Sequence, residues 1–391
     1  MQQYARSAIT WPENTPYPQS CAPPRTNVVF LKTHKCASST VMNILLRFGS
    51  AHNLNFVLPK SKKTHYLGHP QPFNRKLVAD LPPCNMTYNI LTHHTRFNFE
   101  EMRQLMPHDT LYITILRRPD SLFESLYSYC NFSSIFKRNL TAFVRDTNLT
   151  AYLSGHRLVK ESVGLNQMSF DLGYDGLYDS EAAVDKFVLG IDTTFDLVML
   201  FERLDESLVL LKHLLCWNTT DMVALKVNSR YSAYKEVLSD DTKKRLLELN
   251  SVDWKLYKHF AKVFDDRVKA FGEDRMAQEV AMLRAAQRKY YDRCVMAEEP
   301  MENVSTIKKR KDVVAFKSNN TSKLCRRLTW TELEFHEQVK KTQEKRMRKC
   351  LARHMKARSR KHTAPGAGKG SSKSKAGKSS TLRRRRTKNG V

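Results

Sequence analysis

The sequence predicts an α/β fold built on a largely parallel central sheet flanked by helices. Two observations carry this. Short apolar, β-branched runs recur along the chain, and stretches with helical periodicity separate them. Hydrophobic residues make up 41% of the 391 positions, enough for a real core, which excludes wholesale disorder.

The elements follow in order. Residues 1–26 are Pro-rich and irregular and read as a stem. Asn27–Lys32 (NVVFLK) is a buried strand, small residues follow, and Val41–Phe48 is a helix stopped by Gly49. Tyr88–Leu91 is a second strand, and Asn98 with Glu101 forms a capping box for the next helix. Thr110–Leu116 (TLYITIL) is the clearest strand, uncharged and rich in β-formers. Pro119 suits the first turn of a helix that continues through Ser121–Tyr129. Asp196–Phe201 is a further strand and Leu204–Cys216 an amphipathic helix. Asp240–Phe271 and Glu273–Cys294 read as two long charged helices. One folded unit over residues 27–330 is expected, then a charged helical extension over 331–362. Residues 363–391 form a Gly/Ser/Lys tail ending in Arg383–Arg386, disordered by composition. Strand order is not fixed by these features.

The net charge is +27, from 66 Lys+Arg against 39 Asp+Glu. Residues 341–391 hold 19 cations and one acid, so +18 sits there and the body is only mildly basic. A mild excess suits an anionic ligand. No apolar run approaches the ~18–20 residues of a membrane span, and residues 1–18 lack the apolar core of a signal peptide. Eight cysteines show no CxxC spacing, which disfavours a zinc or thioredoxin-like motif, and no metal-ligand cluster is evident. Sequons stand at Asn85, Asn131, Asn139, Asn148, Asn218, Asn303, Asn319 and Asn320. Their density points to the secretory pathway, where cysteines can pair.

Two segments carry the chemistry. The turn after the first strand reads Lys32-Thr33-His34-Lys35-Cys36-Ala37-Ser38-Ser39-Thr40. Backbone N–H groups at a strand–helix turn, the helix dipole and Lys35 together favour an anion. Ser38, Ser39 and Thr40 add hydroxyl donors. GxxxxGK[ST] is absent, so a Walker-type kinase is disfavoured. A structural turn with a surface lysine is the plainer alternative. At the end of TLYITILR, Arg117 stands at a strand terminus with Ser125 two helical turns on. An arginine there can fork onto a phosphate, and ligands collect at the carboxyl ends of parallel strands. The alternative is that Arg117 pairs with Asp120. Two such sites suggest a ligand with two separated phosphate groups.

With both segments in hand, the chain resembles the galactose 3-O-sulfotransferases, and within them most the branch that sulfates galactosylceramide. The resemblance runs through NVVFLKTHKCASSTVMNILLRFG, HNLNFVLP, THYLGHP, HTRFNFEEMRQLMPHDTLYITILRRP and ESLYSY. It continues in FDLGYD, LVMLFERLDESLVLLKHLLCW, ALKVNSR, DWKLYKHF and, more weakly, LCRRL. It implies a P-loop-like sulfotransferase fold and transfer of a sulfuryl group from 3′-phosphoadenosine 5′-phosphosulfate (PAPS) to the 3-hydroxyl of a terminal β-galactose. The acceptor is a galactosyl glycolipid or a glycan. Lys32, Thr33, Lys35, Cys36, Ala37, Ser38, Ser39 and Thr40 then form the 5′-phosphosulfate loop. Arg117 and Ser125 hold the 3′-phosphate, and His94 is the proton-accepting base. Lys32 and His34 line the sulfuryl group, and Lys35 and His34 share in catalysis. Two residues depart from the family pattern: Cys36 stands where threonine is usual, and Arg118 where asparagine is usual.

No metal is required by this chemistry. The resemblance also implies a type II protein of the Golgi membrane facing the lumen. No anchor is evident in this sequence, which reads either as truncated at its N-terminus, the favoured reading because residues 1–26 resemble a stem, or as a soluble form. The resemblance admits a homodimer. Cys294 and Cys325, flanking a sequon-bearing loop, are the expected disulfide. Phe170 and Tyr174 are candidates for stacking on a sugar, with core packing as the plainer role. Two readings compete: a sulfotransferase acting on another glycan such as a glycosaminoglycan, and a non-catalytic polyanion binder driven by the tail. Nucleic-acid binding is disfavoured, since the tail has almost no aromatic residues to stack on bases.

Overall fold

The computed structural model describes residues 23–362, apart from 62, 83, 85, 159–160, 177–179, 227–228, 305–309 and 320–321. Most of the expected stem, the tail over 363–391 and the sequons at Asn85 and Asn320 lie outside the described residues.

Four parallel strands form the central sheet: β1 (Val28–Leu31), β2 (Ile90–Leu91), β3 (Leu111–Leu116) and β4 (Leu197–Leu200), in the order β2-β1-β3-β4. Every strand residue is buried, the signature of a parallel sheet covered on both faces. That explains why the strands read as continuous apolar runs. Each buried side chain of β1 stabilises the fold by about 1.5–3 kcal/mol. From β1 the chain turns outward to β2, then returns across to β3 on the other side. The sheet therefore has its topological switch point between β1 and β3. In open α/β sheets, a crevice opens at the carboxyl ends of such a strand pair.

Helix α1 (Ser38–Ala51) follows β1. Gly49 lies inside it, so the expected glycine stop is corrected. A Cβ there would come within 2.6 Å of Phe56 Cζ and 2.8 Å of Ile90 Cδ1, so Gly49 permits close helix–sheet packing. Helix α2 (Phe99–Leu105) is capped by Asn98, whose side chain accepts from the Glu101 N–H. The other half of the expected box is missing, because the Glu101 carboxylate accepts from the Arg75 N–H instead. Helix α3 (Pro119–Tyr129) begins at Pro119.

The long helix expected over 240–271 is two, Asp240–Leu249 and Ser251–Phe271, broken at Asn250. Asn250 donates to the Leu246 carbonyl and accepts from the Asn166 N–H at 2.8 Å each, bonds that favour a turn over continuous helix. The helices between Phe132 and Thr194 and an antiparallel pair, β5 (Val295–Pro300) with β6 (Val314–Ser318), were not foreseen. The helix Glu332–His362 packs on α1 and donates Phe335 and Val339 to the core. Its Gln343 side chain brackets Phe56, accepting from its N–H at 2.7 Å and donating to its carbonyl at 2.9 Å. Two disulfides tie this region down: Cys294–Cys325, the pair named above, and Cys84–Cys350, which the sequence spacing did not show.

Candidate active site

The loop from Lys32 to Ala37 leaves β1 at the switch point. Lys35 and Ala37 both take left-handed backbone, with φ of 58° and 57°, so the chain turns sharply without a glycine. Non-glycine residues pay for this conformation, and it clusters at functional sites. The fold fixes the turn from within. Thr33 Oγ1 donates to the Ile115 carbonyl on β3, and Ser38 Oγ donates to the Thr33 carbonyl at 2.7 Å. Arg117 follows β3. It donates from Nη1 to the Lys35 carbonyl and from Nε to Ser121 Oγ, both at 2.9 Å, and lies over the Phe201 ring. Asp120 pairs with Arg118 at 2.8 Å, not with Arg117. Among the described residues, Arg117 has no carboxylate within ion-pair distance.

A cavity of about 1030 Å³ opens here. His34, Lys35, Ala37, Ser38, Ser39, Thr40, Arg117 and Ser125 all line it, from two loops and two helices. Leu204, Val268, Met276 and Val280 give it an apolar wall. Both anion segments thus face one space. Three of the expected ligand residues do not line it. Lys32 is 1% exposed, and its ammonium pairs with Glu332 at 2.5 Å. Thr33 is spent on β3. Cys36 is fully buried, donates toward the His34 carbonyl, and has its thiol pushed up by burial.

Beside the loop lies a group that sequence spacing did not reveal. Asp171, fully buried at the end of a short helix (Gln167–Asp171), accepts from the His34 N–H at 2.8 Å. Its oxygens lie 2.9 and 3.0 Å from His34 Nδ1, and one lies 3.1 Å from His69 Nε2. Burial works to raise this carboxyl, but His34 and His69 outweigh it and hold it well below the usual carboxylate range. Ligand-type atoms of His34, His69 and Asp171 lie within 4.8 Å of one another, so the expectation of no such cluster is corrected. The only sequence signal was that Asp171 and His69 fall in FDLGYD and THYLGHP, two of the resembling segments.

His94 stacks on His34 with centroids 4.4 Å apart and planes at 22°. It does not itself line the cavity. Burial, then the nearby Lys32 and His34, push its pKa well below the ordinary histidine value, so it is neutral at pH 7. Phe170 is sandwiched by the guanidinium groups of Arg96 and Arg157, 3.9 and 3.5 Å from its centroid, and Tyr174 packs on Phe187. Both serve packing. Of the described sequons, Asn131, Asn139, Asn148, Asn218 and Asn303 are exposed, while half-buried Asn319 bonds the Arg293 carbonyl.

A family model for galactose-3-O-sulfotransferases matches residues 2–343. The chain belongs to that family. Curated relatives agree. Human galactosylceramide sulfotransferase is 40% identical over 279 residues, 70% of this chain and 64% of that protein. Galactose-3-O-sulfotransferase 2 of Sus scrofa is 36% identical over 341 residues, 81% of this chain and 84% of that one. Galactose-3-O-sulfotransferase 3 of Mus musculus is 32% identical over 362 residues. The chain thus spans just under two thirds of the galactosylceramide enzyme it matches. For this galactose-3-O-sulfotransferase family member, the parallel sheet and the anion-lined crevice are the parts the structure adds. Among the described residues, no helix is long and apolar enough to cross a membrane.

Proposed function

We propose that the chain transfers the sulfuryl group of PAPS to the 3-hydroxyl of a terminal β-galactose, carried by a glycolipid of the galactosylceramide type or by a glycan. One observation supports this most. Arg117 stands at the switch point, half-buried and without a carboxylate partner among the described residues, in the same cavity as Lys35 and Ser125. A cation taken out of water is costly unless an anion joins it. A donor with a 5′-phosphosulfate and a 3′-phosphate supplies two such anions, one for each loop.

Sulfuryl transfer is an in-line displacement at sulfur. Lys35 and the backbone N–H groups at the start of α1 stabilise the charge that grows on the leaving phosphate. Arg117 and Ser125 hold the 3′-phosphate and so fix the donor's orientation. The acceptor's proton goes to the histidine pair, His34 facing the cavity and His94 stacked behind it. A location in the Golgi lumen belongs to the same proposal, supported by the exposed sequons and the disulfides.

The test is transfer of radiolabelled sulfate from PAPS to galactosylceramide, lactosylceramide, terminal N-acetyllactosamine and desulfated heparan. Labelling of a galactosyl acceptor, abolished by blocking its 3-hydroxyl, is the expected result. Labelling of heparan alone would replace the acceptor. Lys35→Ala should lose both turnover and affinity for the desulfated donor.

A further inference from the structure

The convergence of four N–H groups on Asp171 rests on the proposed sulfuryl transfer and deepens it at one atom. The donors are the His34 backbone and Nδ1, His69 Nε2 and, at 2.9 Å, Gln167 Nε2. An ionised carboxylate only accepts hydrogen bonds. His34 Nδ1 must therefore carry its proton, and Nε2 is the ring nitrogen that remains. His34 lines the cavity beside Lys35.

We infer that Asp171 is a positioning residue for the reaction: it fixes His34 as the Nδ1–H tautomer, leaving the Nε2 lone pair to take the proton of the acceptor hydroxyl. In that step the acceptor O–H bond breaks and its proton forms a bond to Nε2. The acceptor oxygen bonds to sulfur as the bond from sulfur to the bridging phosphate oxygen breaks. The leaving 3′-phosphoadenosine 5′-phosphate takes the electron pair of that bond. Asp171 stays ionised and balances the imidazolium, the logic of an Asp–His couple in acyl-transfer enzymes.

The carboxylate is held firmly enough for this task. Asp253, also fully buried, accepts from the Met168 and Ser169 N–H groups at 3.0 and 2.8 Å and from Ser169 Oγ at 2.6 Å. It thereby anchors the start of the helix that ends at Asp171. The Asp171 carbonyl accepts from the Phe97 N–H at 2.9 Å, and Arg96 holds the Phe170 carbonyl at 2.8 Å. Supporting bonds of this kind keep a catalytic side chain in one geometry. The titratable and charged groups around the couple are His69, His94, Lys32, Arg157 and Asp253. A metal held by His34, His69 and Asp171 is the rival occupant. Four N–H donors already satisfy the carboxylate without one.

The test uses the full chain. Long-range nitrogen–proton spectra of the wild-type protein with labelled histidine, His34 identified by loss of its signals in His34→Gln, should show the Nδ1–H form. The Nε2–H form would overturn the inference, as would stoichiometric zinc or another transition metal in the purified protein. Asp171→Asn should lower kcat by ~10²–10⁴-fold and leave affinity for the desulfated donor within twofold. It should add no further loss in the His34→Gln background. An Asp171→Asn variant with wild-type turnover would refute it. Should Asp171→Asn not fold, the wild-type spectrum decides: the Nδ1–H form of His34 supports the inference and the Nε2–H form contradicts it. Wild-type protein that shows the Nδ1–H form yet transfers no sulfate would sink the functional reading and spare the couple.

Discussion

Arg117 donates from Nη1 to the carbonyl of Lys35 at 2.9 Å and so joins the loop after β3 to the loop after β1. The two expected phosphate sites are therefore one hydrogen-bonded unit. Arg117→Lys keeps the charge but loses the planar fork. A hydrogen bond to a charged group contributes about 1.5–3 kcal/mol. Affinity for the desulfated donor, read by titration calorimetry, should fall ~10–100-fold. Unchanged affinity would place the 3′-phosphate elsewhere.

His94 is a neutral imidazole stacked at 4.4 Å on the cavity-lining His34. His94→Ala removes that support and any proton it carries. The expected result is a loss of ~10²-fold or more in kcat with intact donor binding. Retention of more than half the wild-type rate would remove His94 from the chemistry.

His336, buried against His93 with Nδ1 2.8 Å from His93 Nε2, has its pKa lowered by burial from 6.5 to about 4. Its unfolded form binds a proton first on acidification. Stability from this group is thus complete above pH 6.5 and is lost as pH falls toward 4, by about 3 kcal/mol in all. Asp253 runs the other way. Burial raises its pKa to about 6, so the folded state takes up that proton first and is favoured as pH falls through 6. The difference between wild type and His336→Asn isolates the histidine. Urea unfolding at pH 7 and pH 4.5 should show the smaller acid loss in the variant. A gap that does not change with pH would contradict this origin.

Much of this was legible locally. NVVFLK and TLYITIL announce buried parallel strands because their residues are apolar without alternation. Pro119 marks a helix start because its ring suits the first turn. What was not legible depends on distant partners. Asp171 meets His34 across 137 residues, and no spacing rule joins them. Gly49 looked like a stop because only the structure shows Phe56 against it. That the Thr33 and Ser38 hydroxyls bond within the fold, to the Ile115 and Thr33 carbonyls, is equally invisible to the sequence. β5 and β6 pass unnoticed since VMAEEP is half-exposed and carries two acids.

Glu332 poses the last question. It opens the final helix, lines the cavity, and places Oε2 on Lys32 Nζ at 2.5 Å and within 2.9 Å of Ser39 Oγ. Its carboxylate is 13% exposed, whereas Lys32 is 1% exposed. Removing one partner of such a pair leaves a buried charge and costs about 3–5 kcal/mol, whereas replacing both by apolar residues of similar volume is often neutral. Glu332→Gln should therefore lower the denaturant midpoint strongly, and Lys32→Met with Glu332→Leu should restore most of it. The pair also separates stability from chemistry. Neither residue is needed to hold the 3′-phosphate, so the double variant should keep its affinity for free 3′-phosphoadenosine 5′-phosphate within a few fold. A double variant as unstable as Glu332→Gln would mean that the pair contributes through its charge and not only by cancelling it. A stable double variant that no longer binds the desulfated donor would instead place Lys32 at the phosphosulfate, with Glu332 standing aside when the donor arrives.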